Sequence, residues 1–94
     1  MPLRIKFIGA LRHLSGKTQF TINYQEGISV KKLVDKISQE MPELKQTFSD
    51  QELNDSRSNS LIILNGKEIS VLNGLETKLA DGDEIVFVPV VHGG

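Results

Sequence analysis

The residues that could most clearly take part in a chemical reaction are Gly93 and Gly94, which end the sequence in a free carboxylate. A strand is predicted just before them, because the β-branched and aromatic side chains of residues 85–88 suit a pleated sheet. Pro89 has no N–H to donate to a sheet, so we expect the strand to stop there. The residues from Pro89 onward would then form a nearly uncharged arm that spans roughly 20 Å at about 3.4 Å per residue. Glycines lack a Cβ atom, so the tip of such an arm could enter a narrow channel in a partner.

The composition is that of one ordinary globular domain. The 94 residues include 38% hydrophobic and 24% charged side chains, with a formal net charge of −1, so no strong overall field favours nucleic acid or a membrane surface. The sequence contains no cysteine, which excludes disulfides, thiolate metal ligands and a cysteine nucleophile. Any sulfur chemistry must therefore use sulfur supplied from elsewhere. Since there is neither an apolar run of membrane-spanning length nor a signal-peptide core, we expect a cytoplasmic protein.

The order of predicted elements indicates an α+β fold. Alternating apolar residues and turn formers predict strands at residues 3–7, 20–24, 61–64, 67–71 and 85–88. Ser29 is a favourable N-cap for an amphipathic helix that continues to Met41, where Pro42 ends it. A helix between two hairpins favours a mixed sheet of four or five strands packed on one main helix, the β-grasp or ubiquitin-like arrangement. In that arrangement the last strand is central and lies beside the first, so the exit of the arm is rigidly placed.

The chain divides into a body and a tail. We expect residues 1–88 to form a single β-grasp domain and residues 89–94 to form a flexible C-terminal tail ending in Gly-Gly. Residues 49–60 are almost wholly polar and rich in turn formers, which favours an exposed loop within the domain.

Four apolar residues are predicted to face away from the helix. If the inner positions of the strands form the core, alternation sends Ile8, Ile63, Val86 and Val88 outward. The first, last and third strands are expected to be neighbours, so these side chains would form one apolar patch beside the tail, and such a patch usually marks an interface. Two alternatives remain: the loop at 49–60 covers the patch, or the exposed residues have no role.

Other chemical motifs are weaker. Gly9 and the Gly16-Lys17 pair resemble a phosphate-binding loop, but their spacing is too long and a strand follows where a helix is needed. His13 and His92 lack metal-ligand spacing, so no metal site is predicted. No serine or carboxylate has a recognisable base, so we predict no autonomous catalytic centre. A solvated face is the favoured interpretation of the basic residues Arg4, Lys6, Arg12 and Lys17.

Both ends of the sequence resemble a known family. The segment Phe7-Ile-Gly-Ala-Leu-Arg-His-Leu-Ser-Gly16 is similar to the F-A-x-L-R-E-L-x-G segment of the small subunit of molybdopterin synthase, the MoaD family. Asn65-Gly66 and residues 79–94 resemble that family's N-G pair and its L-x-D-G-D-E-V-x-F-x-P-P-V-x-G-G ending. The spacing from D-G-D-E to the terminal glycines makes this resemblance specific.

The tail departs from that pattern at two points. The chain has Pro89-Val90 where the family often has two prolines, and His92 replaces a small residue. The terminal His-Gly-Gly and residues 71–76 instead resemble the ubiquitin-related modifier family.

The resemblance implies a sulfur carrier of the MoaD/ThiS type. A carboxylate is a poor electrophile until it becomes a mixed anhydride, so an activating enzyme of the MoeB/ThiF type would adenylate Gly94 with ATP. Displacement by sulfur would leave a thiocarboxylate on Gly94, while Gly93 lets the tail thread into a partner. The expected partner-binding residues are Ile8, Ile63, Val86, Val88, Pro89, Val90, Val91 and His92. The chain is expected to bind no cofactor itself, since ATP would be used by the activating enzyme.

The acceptor of the sulfur stays open among several alternatives. In the molybdopterin route the tail would enter the large subunit of molybdopterin synthase, which supplies the catalytic side chains for molybdenum-cofactor biosynthesis. The chain would then be a carrier subunit or carrier substrate. The modifier-like tail implies instead a carrier for tRNA thiolation, or a protein modifier conjugated to target lysines through Gly94. A non-catalytic β-grasp binding module is the third alternative. Direct contact with nucleic acid or a membrane is not expected.

Overall fold

The structure is a computed structural model of the chain, and it describes residues 1–45, Phe48 and 60–89. Within these residues the strands are β1 Leu3–Phe7, β2 Gln19–Ile22, β3 Ser60–Leu64, β4 Lys67–Glu68 and β5 Glu84–Pro89. The α-helices are α1 Ala10–Ser15 and α2 Val30–Glu40, and single turns of 3-10 helix lie at Pro42–Leu44, Ile69–Val71 and Gly74–Glu76. No helix in these segments is long and apolar enough to cross a membrane.

The five strands form one mixed sheet in the order β2-β1-β5-β3-β4. Strand β5 runs parallel to β1 and antiparallel to β3, while β1–β2 and β3–β4 are antiparallel pairs. The last strand is therefore central and lies beside the first, as the sequence predicts. The two hairpins are joined edge to edge through β5.

One face of the sheet packs on α2 to form the core. The inner positions of the strands contribute Leu3, Ile5, Phe7, Ile62, Leu64, Ile85 and Phe87, and the apolar stripe of α2 contributes Val30, Leu33, Val34 and Ile37. All of these side chains are buried. The period-two and helical patterns of the sequence therefore meet in a single hydrophobic cluster.

Four phenylalanines cluster where β1 and β5 end. The ring of Phe7 lies 5.3 Å from that of Phe20 and 5.7 Å from that of Phe87, with edge-to-face geometry in both pairs. Phe48 adds a fourth ring, 4.9 Å from Phe87. Such pairs contribute beyond the area they bury. The cluster therefore anchors β5 to the core two residues before Pro89.

Helix α2 begins and ends as predicted. The side chain of Ser29 accepts a hydrogen bond from the backbone N–H of Lys32 at 3.2 Å, which is an N-cap. At the other end Met41 leaves the helical region, with φ −130° and ψ 79°, because the ring of Pro42 disfavours a helical conformation there. Helix α1 connects β1 to β2.

The predicted return strand at 67–71 is wrong beyond Glu68. The chain leaves the sheet because the Glu68 carboxylate accepts a hydrogen bond from the backbone N–H of Ser70 and caps a 3-10 turn. Ile69 is buried whereas Val71 is 72% exposed, and two residues on the same face of a strand would not differ in this way. Strand β2 is likewise shorter than predicted, ending at Ile22, although Tyr24 still packs against the core.

The Asn65-Gly66 turn is attached to the start of β5. Both residues have positive φ, 49° and 86°, as two-residue hairpin turns require. The Asn65 side chain donates to Asp83 Oδ1 at 2.8 Å and accepts from the backbone N–H of Glu84 at 3.0 Å. The backbone N–H of Asn65 donates to the Glu84 carbonyl at 2.9 Å. We call this set of bonds the Asn65 clamp, and it sets the register at which β5 begins.

Replacing Asn65 with alanine is expected to lower the free energy of unfolding by roughly 2 kcal/mol, because it removes two side-chain hydrogen bonds and leaves alanine at a left-handed position. Urea denaturation measures this loss. Asn73→Ala is the matched control, since Asn73 has a φ of −106° and its hydrogen bonds use backbone atoms. Equal stability of the two variants would contradict a role for the Asn65 clamp.

Candidate functional site

The base of the tail is held on both sides. Pro89 is the last residue of β5 and pairs with Ser60 of β3, one position beyond the predicted end of the strand at 88. This extension is compatible with proline because a strand end can lack a donor. On the other side, the backbone N–H of Ile8 donates to the Phe87 carbonyl at 3.1 Å. The start of the tail is thus fixed to the sheet.

The functional predictions for the tail itself lie outside the described residues. They concern Val90, Val91, His92, Gly93 and Gly94. The prediction of an exposed loop also falls outside them, except for Ser60.

The outward-facing apolar residues lie together on the sheet face opposite the core. Ile63 is paired with Val86, and Leu61 with Val88, across β3 and β5. Ile8 is 45% exposed and Leu61 is 38% exposed, while the other three are partly exposed. We call the set the outer patch: Ile8, Leu61, Ile63, Val86 and Val88. The predicted outward orientation of Ile8, Ile63, Val86 and Val88 is confirmed.

Leu61 was missed by the sequence reasoning. The signal was available, because Leu61 is two residues before Ile63 and therefore shares its face of the strand. Its pairing with Val88 brings it to the end of β5 where the tail begins.

The residues of the outer patch are different from those of the hydrophobic core. The alternate positions of the same strands, including Ile62, Ile85 and Phe87, are buried against α2. Within the described part of the chain, the apolar side chains on the opposite face are therefore exposed or partly exposed and lie outside the core cluster. This contiguous apolar surface is the candidate interface of the described residues.

A small charged group borders the patch. The Glu84 carboxylate lies 3.3 Å from Lys6 Nζ and 3.9 Å from an Arg4 guanidinium nitrogen. Arg4 pairs with Glu84 and Lys6 with Val86, so the group lies on the same face as the patch. Exposed ion pairs contribute little to stability. The group therefore forms a polar border to the outer patch.

The remaining surface has shallow cavities. A groove of about 380 Å³ runs between β1 and β2 and is lined by Arg4, Ile5, Lys6, Gln19, Phe20 and Thr21. Within residues 1–45, 48 and 60–89, no three histidine, aspartate or glutamate side chains are grouped so that they could hold a metal ion.

Solved structures similar to this chain define its fold. The small archaeal modifier protein 1 from Methanosarcina acetivorans matches with a TM-score of 0.79 and 28% identity, over 99% of this chain and 96% of the other. A protein complex of subunits 1 and 2 of molybdopterin-converting factor from Helicobacter pylori contains a chain that matches with a TM-score of 0.60 and 28% identity, over 100% of each chain. A putative molybdopterin-converting factor subunit 1 from Pyrococcus furiosus matches with a TM-score of 0.77 and 23% identity, over 97% and 99%. The fold is the β-grasp of ubiquitin-like proteins, as predicted.

The family follows from the sequence itself. The ThiS family model matches residues 5–94. The chain therefore belongs to the ThiS family and to the class of ubiquitin-like sulfur carriers and modifiers. This confirms the resemblance found in the sequence motifs. A search of curated proteins finds no match.

Introducing lysine at Ile63 is expected to change the free energy of unfolding by no more than about 1 kcal/mol, because the side chain is partly exposed and pairs across the sheet with Glu68. The neighbouring substitution Ile62→Lys is the control. Ile62 is 3% exposed, so a buried unpaired ammonium there should cost several kcal/mol or prevent folding. Urea denaturation followed by circular dichroism compares the two variants. Similar losses would mean that the two faces are wrongly assigned.

Proposed function

We propose that this chain carries sulfur on its C-terminus for molybdopterin biosynthesis. An activating enzyme of the MoeB/ThiF type would join the Gly94 carboxylate to the AMP moiety of ATP and release pyrophosphate. A sulfide-equivalent nucleophile would then displace AMP, forming the C–S bond of a thiocarboxylate. The observation that carries the proposal is the outer patch, which lies at the base of a Gly-Gly tail in a member of the ThiS family.

In this proposal the chain and the activating enzyme have different roles. The outer patch would provide the surface on which a partner docks. Activation of a carboxylate needs ATP and a protein that binds ATP. We therefore expect the activating enzyme to dock on the outer patch and to receive the tail, residues 89–94, in its own active site. We also expect the body, residues 1–88, to act as one rigid handle. The reaction would take place in the cytoplasm.

The large subunit of molybdopterin synthase is the proposed acceptor. The supporting features are the spacing of residues 79–94 and the similarity to a chain of the Helicobacter pylori complex of subunits 1 and 2. The same outer patch would serve both partners in turn, since the tail leaves the sheet beside it. The acceptor would supply the catalytic side chains that move sulfur from Gly94.

A second candidate is a protein modifier. It is favoured by the similarity to the small archaeal modifier protein from Methanosarcina acetivorans and by the terminal His-Gly-Gly. The activated Gly94 carbonyl would then be attacked by a lysine amine to form an isopeptide bond. In both functions Gly94 is adenylated first. The nucleophile that then attacks its carbonyl is a sulfur donor in the carrier and a lysine amine in the modifier.

Intact-mass measurement of the protein purified from its native cell tests the proposal. A sulfur carrier should contain a species in which one oxygen is replaced by sulfur, and deletion of Gly94 should remove it together with molybdoenzyme activity. Lysine conjugates that disappear on the same deletion, with no sulfur species, would support the modifier instead. If neither species forms and molybdoenzymes keep their activity, the chain is a binding module.

The Ile63→Lys variant is expected to raise the KM for the carrier roughly tenfold or more in ATP–pyrophosphate exchange by the MoeB/ThiF-type enzyme of the same organism, with little change in kcat. The reason is that a charge in the outer patch weakens docking without touching the tail. Val71→Lys is the matched control, because Val71 is an exposed apolar residue outside the patch. An equal effect of both substitutions would argue against the patch as the docking surface.

A further inference from the structure

The outer face of the sheet has a row of residues with opposite charges at its two ends. The pairing of the strands places one residue each from β1, β5, β3 and β4 side by side: Lys6, Val86, Ile63 and Glu68. The residues next to Lys6, Val86 and Ile63 in the sequence are buried, so these three side chains project from the outer face. Glu68 shares the face of its partner Ile63 and precedes the buried Ile69. The row is therefore basic at one end, apolar in the middle and acidic at the other.

We propose that the outer patch binds a second copy of this chain, in a two-fold dimer that packs sheet on sheet. The two-fold axis runs parallel to the strands and passes between β5 and β3. In this arrangement β5 lies over β3 of the second copy, and β1 lies over its β4. The inference goes beyond the proposed function and does not depend on it.

The apolar residues of the patch are complementary to themselves under this rotation. Val86 faces Ile63 of the second copy, and Val88 faces Leu61, because each of these pairs is joined across β5 and β3. An interface between two copies of one surface requires this reciprocity. Sheets that pack face to face keep their strands within about 30° of each other and lie about 10 Å apart. Side chains of this size can fill that space.

The charges of the row select the same axis. Lys6 faces Glu68 of the second copy, and the symmetry makes this contact twice. A two-fold axis running across the strands would instead lay β1 on β1, with Lys6 against Lys6 or Arg4 of the second copy. Like charges that face each other across an interface are unfavourable. Charge complementarity therefore favours the axis along the strands.

Both charged groups can make a further contact. The Lys6 ammonium has three donors, of which one can serve the Glu84 carboxylate oxygen 3.3 Å away. Oε2 of Glu68 accepts from the backbone N–H of Ser70, and Oε1 of the same carboxylate can accept from the second copy. One row nearer the hairpin turn, Glu84 is hydrogen-bonded to Asn65 across β5 and β3, so it would face the uncharged Asn65-Gly66 turn of the second copy.

The dimer is expected to be weak. The outer patch is smaller than a standard interface, which has about 20 to 30 residues on each side. Since interfaces of standard size begin at a Kd of about 1 μM, we expect a larger Kd here. Such a dimer exchanges with monomer, and a partner that binds the patch more tightly would dissociate it. Dimerisation and docking of a partner on the same patch exclude each other.

Charge-reversal variants test the arrangement by sedimentation equilibrium. The unmodified chain should show a monomer–dimer equilibrium at concentrations up to about 1 mM. Lys6→Glu and Glu68→Lys should each raise the Kd roughly tenfold or more, because each creates a like-charge contact on both sides of the axis. An equimolar mixture of the two variants should dimerise again. In that heterodimer both contacts between positions 6 and 68 join opposite charges.

The matched controls make the same charge changes outside the row. Lys17→Glu and Glu76→Lys alter exposed residues, and each should leave the Kd within about twofold because salt screens charges that make no contact. Their mixture should dimerise no better than either variant alone. A chain that stays monomeric, or a mixture of Lys6→Glu and Glu68→Lys that dimerises no better than its components, would overturn the inference.

A second variant keeps the test decisive if Lys6→Glu, which places a carboxylate near Glu84, does not fold. Circular dichroism identifies that case. Ile63→Lys puts an ammonium against Val86 of the second copy and should abolish the dimer, whereas Val71→Lys, outside the patch, should retain it. Equal dimerisation of these two variants would refute the inference. None of these measurements uses adenylation, so a monomeric chain that is adenylated leaves the proposed function standing, and a dimeric chain that is never adenylated leaves the dimer standing.

Discussion

The structure depends on the insertion of β5 between β1 and β3. Its backbone is paired in parallel with β1 and antiparallel with β3, and its inner residues Ile85 and Phe87 are fully buried. Without this strand the two hairpins share no edge. The Asn65 clamp at one end and the phenylalanine cluster at the other fix β5 along its whole length, so the base of the tail has one position relative to the body.

The same strand joins stability to function. Alternate residues of β5 belong to the core and to the outer patch, so in the proposed function docking and folding use opposite faces of one element. The family motif has a physical explanation in these terms. Its N-G pair forms the hairpin turn, its D-G-D-E segment supplies the partners of Asn65, and the proline that follows ends β5 beside Gly9. Segments that are far apart in sequence are therefore parts of one support for the tail.

Much of this could be predicted from the sequence, because period-two alternation, the Ser29 cap and the Asn65-Gly66 turn are local signals. The predicted return strand is wrong beyond Glu68. The Glu68 side chain caps a 3-10 turn there, although the β-branched residues Ile69 and Val71 favour a strand. The closeness of Gly9 to Pro89 has no local signal, because it joins residues at opposite ends of the chain. The chemistry of Gly94 came from the family resemblance, as spacing alone shows only that a carboxylate ends an arm.

The central parallel pair also has a consequence for how the protein folds. Arg4 of the first strand lies beside Glu84 of the last, so this contact has a very high contact order and closes a loop of nearly the whole chain. During synthesis the backbone N–H and C=O groups on one edge of β1 stay without their β5 partners until the final strand has left the ribosome. A chain that lacks β5 therefore leaves the two hairpins without a shared edge. The topology therefore makes completion of the sheet a late step that needs almost the entire chain.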